Sequence, residues 1–158
     1  MKRAASGDSK RFAHADLRKS TFHDVDLSQS AIEDAKLTAV QVDNVDLTGI
    51  RLRDANLSGA ELSNVKAQGA SVDDADFARS KLVNVDGRDV TIKDAKLTRA
   101  RFDDVDLSAA HFEDVTLAGA RIKDADLRNV QIEDANIEGL TIDGIRIDEL
   151  IRRHAKRR

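Results

Sequence analysis

Large apolar side chains recur at every fifth residue along almost the whole chain. Between Thr91 and Asn136 they are Ile92, Leu97, Phe102, Leu107, Phe112, Leu117, Ile122, Leu127 and Ile132. Two residues before each stands a small or β-branched one, from Val90 and Ala95 through to Ala125 and Val130. A period of five suits neither ordinary element. A helix advances about 100° per residue, so a five-residue step rotates the apolar position by roughly 140° and leaves no stripe. In a flat strand an odd step sends successive apolar residues to opposite faces. The pattern works only if the chain turns a corner every five residues, each short extended segment pointing two side chains inward on a new wall. It therefore predicts an all-β fold, a β-solenoid.

The register extends far beyond that stretch. Large inward centres run in fives from Phe12 to Ile147, 28 positions, of which 26 are Leu, Ile, Phe or Val and two are Ala67 and Gly87. The small inward positions run from Ala15 to Ile145, 27 more, and hold only Ala, Val, Ser, Ile and Leu. No charge occupies any of these 55 positions in a chain that is 35% charged.

The remaining positions set the number of walls. Asp or Asn recurs every ten residues from Asp24 and Asp34 to Asp124 and Asp134. A three-walled coil would scatter this series, whereas a four-walled coil of twenty residues stacks it into two ladders on opposite sides. Ala67 and Gly87 become stacked neighbours in that frame, with Phe77 on the opposite wall to fill the space they leave, as close packing requires. Four walls and seven coils follow. The structural reading of the Asp and Asn ladders is turn chemistry, their side chains accepting hydrogen bonds from backbone N–H groups at a corner.

The segments HADLR, DANLS, DADFA, DADLR and DANIE resemble the repeats of the pentapeptide-repeat proteins. The resemblance spans about residues 12–147 and implies a right-handed quadrilateral β-helix. Some members of that family protect DNA gyrase or topoisomerase IV from quinolones by resembling a DNA duplex in shape and charge. The resemblance also implies a dimer through the C-terminal end.

The ends depart from the repeat. Residues 1–11 are polar and basic and are expected to be a disordered tail. They leave the rims of Phe12, Leu17, Phe22 and Leu27 without a cap. From 148 onward Arg152 falls where a large apolar residue is due. Asp148 as N-cap, Glu149 in the first turn and basic residues in the last predict a short helix over 148–158. Leu150, Ile151, His154 and Ala155 would then form an apolar side that caps the final coil or makes a dimer contact, so that two rods join end to end.

The charge is unevenly placed. The whole chain carries −3, but residues 12–147 hold 26 acids against 17 Lys or Arg, and the two ends hold 9 basic residues against 3 acids. On the wall centred on Phe12, Ile32, Leu52, Val72, Ile92, Phe112 and Ile132 stand Glu33, Asp34, Asp54, Asp73, Asp74, Asp94, Glu113, Asp114, Glu133 and Asp134, opposed only by Arg51, Arg53 and Lys93. This is the candidate interaction stripe. Like charges stacked about 4.8 Å apart repel, and a presented anionic stripe attracts a cationic groove.

Other chemistry is not indicated. With no Cys there is no thiolate nucleophile, thiolate metal site or disulfide framework. His14, His23, His111 and His154 lack metal-ligand spacing. No phosphate-binding glycine loop or nucleophile elbow occurs. All five Phe sit at inward centres, so none is left as a stacking platform for nucleic acid. No enzyme activity, cofactor, metal, membrane span or direct nucleic-acid binding by the rod is expected, and a cytoplasmic location is. The expected function is a rigid scaffold that binds a protein partner. A narrower alternative is a DNA-mimicking inhibitor or protector of a type II topoisomerase. The joint absence of Pro, Cys, Trp and Tyr also fits an engineered consensus solenoid with no partner.

Overall fold

The computed structural model describes residues 10–155. They form a β-solenoid of about seven coils followed by one short helix. The strands lie twenty residues apart and pair in parallel. One wall is a seven-stranded sheet running from Arg11–Ala13 to Gln131–Glu133, with partners such as Phe12↔Ile32 and Phe112↔Ile132. The wall two corners on is an eight-stranded sheet running from Thr21–His23 to Ile145–Arg146. We call these the first and third walls. The second and fourth are joined by single bridges such as Asp16↔Lys36, Lys96↔Thr116 and Asp26↔Asp46. Six-residue strands such as Arg101–Asp106 bend across a corner to tie adjacent walls together.

The predicted core is the observed one. Leu97, Leu117, Ile50, Val40, Val65 and Ala100 are buried to within 1–2% of full occlusion, and both inward sets join a single hydrophobic cluster. Burying a side chain of this size contributes roughly 1.5–3 kcal/mol, which is why the inward positions accept no charge. Phe77, Ala67 and Gly87 do meet in the shaft, and Phe77 is buried. The compensation is incomplete. Wholly apolar void space of about 100 Å³ remains, distributed along the shaft between Phe22 and Leu107 and bordered by these three among others.

The corners correct one expectation. All twelve ladder positions, from Asp24 to Asp134, have a left-handed backbone with φ between 47° and 54°. Asp and Asn tolerate that region better than other side chains with a Cβ, and this is what the ladders supply. Among the described residues none of these side chains accepts a backbone N–H. That role falls two residues later: Asp26, Asp46, Asp76 and Asp106 accept from the amides of Ser28, Thr48, Ala78 and Ser108 at 2.8–2.9 Å. The alternate corners close with an i to i+3 bond, such as Ala100 N to Leu97 O at 3.0 Å, and again a left-handed third residue. Only that residue has positive φ, as in a type II turn, so glycine recurs there at 49, 59, 69, 119 and 139.

Both ends differ from expectation in detail. Arg11 already belongs to the first strand, and residues 1–9 of the expected tail lie outside the described residues. Phe12, Leu17 and Phe22 are only half-buried. At the other end the regular repeat stops near Ile142. Thr141–Ile142 and Ile145–Arg146 pair antiparallel around Asp143 and Gly144, whose φ values are 46° and 79°. Asp-Gly with two positive φ angles is the favoured two-residue hairpin turn. It throws Ile145, an expected inward position, out to 59% exposure. The helix α1 (Ile147–Ala155) follows, with Asp148 and Glu149 in its first turn and Arg152, Arg153 and His154 in its last.

Candidate functional site

The acidic stripe lies where the register puts it. Asp34, Asp54, Asp74, Asp94, Asp114 and Asp134 form one exposed column along the corner between the first and second walls, and Glu33, Asp73 and Glu113 stand half-buried beside it. Glu133 is exposed at the last coil. Rungs are separated by the strand spacing of about 4.8 Å. We call this column the acidic edge.

Its neutralisation is partial. Arg11 donates to Glu33 and holds its carboxyl below the usual range. Arg53 lies 3.7 Å from both Glu33 and Asp54, and Lys93 is 3.2 Å from Glu113. His14 stands 3.5 Å from Asp34. Asp54 is nevertheless raised, first by partial desolvation and then by repulsion from Asp34 and Asp74. Among the described residues Asp74, Asp94, Asp114 and Asp134 make no ion pair.

The opposite column shows that charge is not needed at such a corner. There Asn44, Asn64 and Asn84 adopt the same left-handed backbone. Their side-chain amides bond along the axis: Asn44 donates to Asp24, Asn84 to Asn64 at 2.7 Å, and Asn64 to Asp43 at 2.9 Å. A column of ionised Asp has no donor and cannot make such bonds. The acidic edge therefore carries uncompensated charge that the backbone does not demand.

The C-terminal residues predicted to cap the last coil do not do so. Leu150 is 56% exposed and Ile151 52%, and His154 and Ala155 are exposed as well. The side of α1 that meets the coil is Ile147 and Asp148 instead. In the body of the rod each glycine amide at this corner donates to a carbonyl of the next coil, as Gly119 N does to Glu138 O at 2.7 Å. Gly139 has no further coil, and its amide donates to the Asp148 carboxylate at 3.2 Å. That carboxylate also accepts from Arg146 and Arg152, and Arg146, followed by the Gly139 and Glu149 amides, holds it well below the usual carboxylate range. Asp143 acts likewise, its side chain accepting the Asp124 amide at 3.1 Å. One carboxylate, Asp148, thus replaces a missing carbonyl of an eighth coil, and the other, Asp143, replaces with its side chain the carbonyl that a regular seventh coil would offer. The exposed Ile145, Leu150, Ile151 and Ile132 remain as an apolar end surface.

One cluster escaped the sequence reading. Arg79, Lys81, Arg99, Arg101 and Arg121 gather on the corner between the second and third walls, and sorting charges wall by wall divides them. Their spacing of two and twenty residues is the signal that would have joined them.

Among the described residues no group of His, Asp and Glu is arranged to hold a metal ion, and no helix is long and apolar enough to cross a membrane.

A coil of twenty residues, an apolar shaft and charge kept to the outside define a repeat-protein β-solenoid. The chain belongs to the pentapeptide-repeat family, whose model, described as pentapeptide repeats, matches eight copies over residues 35–73, 70–108 and 100–139. Among solved structures it is similar to QnrB1, a plasmid-mediated fluoroquinolone resistance protein, at 16% identity over 93% of this chain and 96% of that one, with a TM-score of 0.37. It is also similar to HetL, involved in heterocyst differentiation regulation in the cyanobacterium Nostoc, at 18% identity over 85% and 92% of the two chains and a TM-score of 0.25. A pentapeptide repeat protein from the Arabidopsis thaliana thylakoid lumen matches at 19% identity over 86% and 75%, with a TM-score of 0.29. No curated protein matches.

Proposed function

We propose that this chain is a non-enzymatic, protein-binding rod that presents its acidic edge to a cationic groove on a protein partner in the cytoplasm. The observation behind this reading is the contrast between the two Asp and Asn columns. They share one backbone conformation, yet one holds Asn at 44, 64 and 84 among Asp24, Asp104 and Asp124, whereas the other is Asp throughout and keeps Asp74, Asp94, Asp114 and Asp134 unpaired. Retained like-charge repulsion at sites where Asn fits equally well is a cost to the fold that binding a cationic partner offsets.

The test is replacement of Asp74, Asp94 and Asp114 by Asn, followed by melting and by capture of the partner on the immobilised rod. The expected result is an unchanged or higher melting temperature with partner capture lost. A lower melting temperature with capture intact would refute the reading.

A narrower form takes the partner to be a type II topoisomerase, with the rod standing in for duplex DNA. Seven coils at about 4.8 Å make a rod of roughly 34 Å, close to one turn of B-DNA. The apolar end formed by Ile145, Leu150 and Ile151 favours end-to-end pairing of two rods and doubles that length. DNA gyrase supercoiling, measured with and without a quinolone, decides it: inhibition or protection by micromolar rod is expected, and no effect sinks it.

A further inference from the structure

We infer that the corner between the second and third walls is a docking edge for the acidic edge of a second copy of this chain, giving lateral, salt-sensitive assembly of parallel rods. The argument starts from pairing. The described residues include thirteen arginines, of which Arg11, Arg18, Arg53, Arg88, Arg128, Arg146, Arg152 and Arg153 hold an acid within 4.0 Å. Of the five that do not, four are Arg79, Arg99, Arg101 and Arg121. All four lie on this one corner, joined by Lys81, which also has no acidic partner. The nine outward positions 78, 79, 81, 98, 99, 101, 118, 119 and 121 hold these five cations, Ala78, Thr98, Ala118 and Gly119, and no acid. Arg101 pairs in register with Lys81 on one side and Arg121 on the other, so the cations are stacked at the strand spacing of about 4.8 Å. Like charges in that register repel; the one acid in the column is Glu61, in register with Lys81 at its lower end, and it forms no ion pair within 4.0 Å with any of the five cations.

The acidic edge has the matching defect. Three of its unpaired rungs, Asp74, Asp94 and Asp114, stand on the coils that carry the cations, with Asp94 only five residues from Arg99, whereas the Asp134 coil has Gly139 and Thr141 at the basic corner. One coil sets the rise of both edges, so in two parallel rods at equal height the three rungs Asp74, Asp94 and Asp114 face the basic rungs in step, while Asp54 meets the Gly59 and Glu61 rung. A duplex offers one phosphate per strand every 3.4 Å or so of axis, which falls out of step with a 4.8 Å ladder. The second copy is therefore the better fit. The two edges are successive corners of a square coil and lie at the same height. Each contact then turns the next copy by about a quarter turn, and a head-to-tail contact of that kind closes at about four copies. This assembly uses the acidic edge but does not rest on the partner reading above.

Sedimentation velocity at low and high salt tests it on the full chain. At roughly 20 mM salt the mass is expected to pass that of a dimer and approach a tetramer, and to fall back at about 1 M, where the Debye length is only about 3 Å. The variants Arg99→Glu/Arg101→Glu and Asp74→Arg/Asp94→Arg should each weaken low-salt assembly roughly tenfold or more. Arginine is tolerated in the left-handed corner conformation, as Arg79 and Arg99 show with φ of 60° and 58°. An equimolar mixture of the two variants should restore assembly, because each then complements the other at both contacts. Assembly indifferent to salt and to both reversals would overturn the inference, as would a mixture that fails to recover. A rod that stays small at low salt but binds duplex DNA through the same arginines would also overturn it, assigning the edge to nucleic acid. Arg99→Glu/Arg101→Glu leaves the Asp ladder intact, so partner capture by that variant separates failure here from failure of the partner reading.

Discussion

The void beneath Ala67 and Gly87 gives the most quantitative prediction. The column that contains them otherwise reads Leu27, Leu47, Leu107 and Leu127, so a leucine at 67 has four precedents for its shape. Ala67→Leu adds three carbons, worth about 2.4 kcal/mol at about 0.8 kcal/mol per buried CH₂. The void of about 100 Å³ runs along the shaft, so the value of about 2.4 kcal/mol obtained by filling all of it at roughly 24 cal/mol per Å³ is an upper bound for this one substitution. In a chain of this length, at about 2–4 °C per kcal/mol, that raises the melting temperature by up to about 5–10 °C. Gly87→Leu should not match it, because a Cβ there would meet Leu107 Cδ2 at 3.1 Å and the Asp106 carbonyl at 3.4 Å. Leu107 already leans into that half of the gap. Ala95→Leu is the control: Ala95 is 2% exposed and does not border the void, so the added bulk should destabilise by about 1–3 kcal/mol.

The partner across the shaft completes a cycle. Phe77→Leu alone enlarges the void and should cost about 1–2 kcal/mol. Combined with Ala67→Leu it should cost less, because volume lost from one wall is returned from the other, with a coupling of about 1 kcal/mol. Urea denaturation of the four proteins measures this. Additive effects, or an Ala67→Leu chain that melts lower than the parent, would show that these residues do not share one space.

Two further outcomes follow from the charges. Asp54 has a raised folded-state value, so its ionised form costs stability at neutral pH and that cost fades as pH falls through the raised value toward about 3.9, the unfolded reference. Asp54→Asn should therefore melt higher than the parent at pH 7, with the gap closing by about pH 4, and a gap that widens on acidification would contradict the sign. Glu33, Asp43, Asp86 and Asp148 are depressed, so their contribution is present above about pH 4 and the parent should lose stability below it. At the C-terminal end, Asp148→Ala removes the acceptor for the Gly139 amide and the anchor for Arg146 and Arg152. Hydrogen exchange should speed at Gly139 and through 147–155 while Leu97 stays protected, and unchanged exchange at Gly139 would refute the clamp.

The walls were legible because burial is a residue-by-residue property with a fixed period. Leu97 and Leu117 needed only their spacing to be placed inside. The last coil was not legible, because its open amides are closed by contacts that depend on where the chain goes next. Nothing local marks Asp143 and Asp148 as substitutes for carbonyls, and a period continued through Ile145 hides the hairpin at Asp143 and Gly144. The corners were misread for a different reason. Asp and Asn suit both a left-handed backbone and the capping of a nearby amide, and both roles recur every ten residues. The distinguishing mark lay in what interrupts each series. Lys36, Lys66, Lys96 and Thr116 break the capping positions, since a missing cap leaves an amide that water can serve. From Asp24 to Asp134 the left-handed series admits only Asp and Asn. Because Asn meets that backbone demand at 44, 64 and 84, the demand cannot account for six consecutive Asp on the other edge. On the readings proposed above, that charge and the row of arginines one corner away serve contacts outside the single rod.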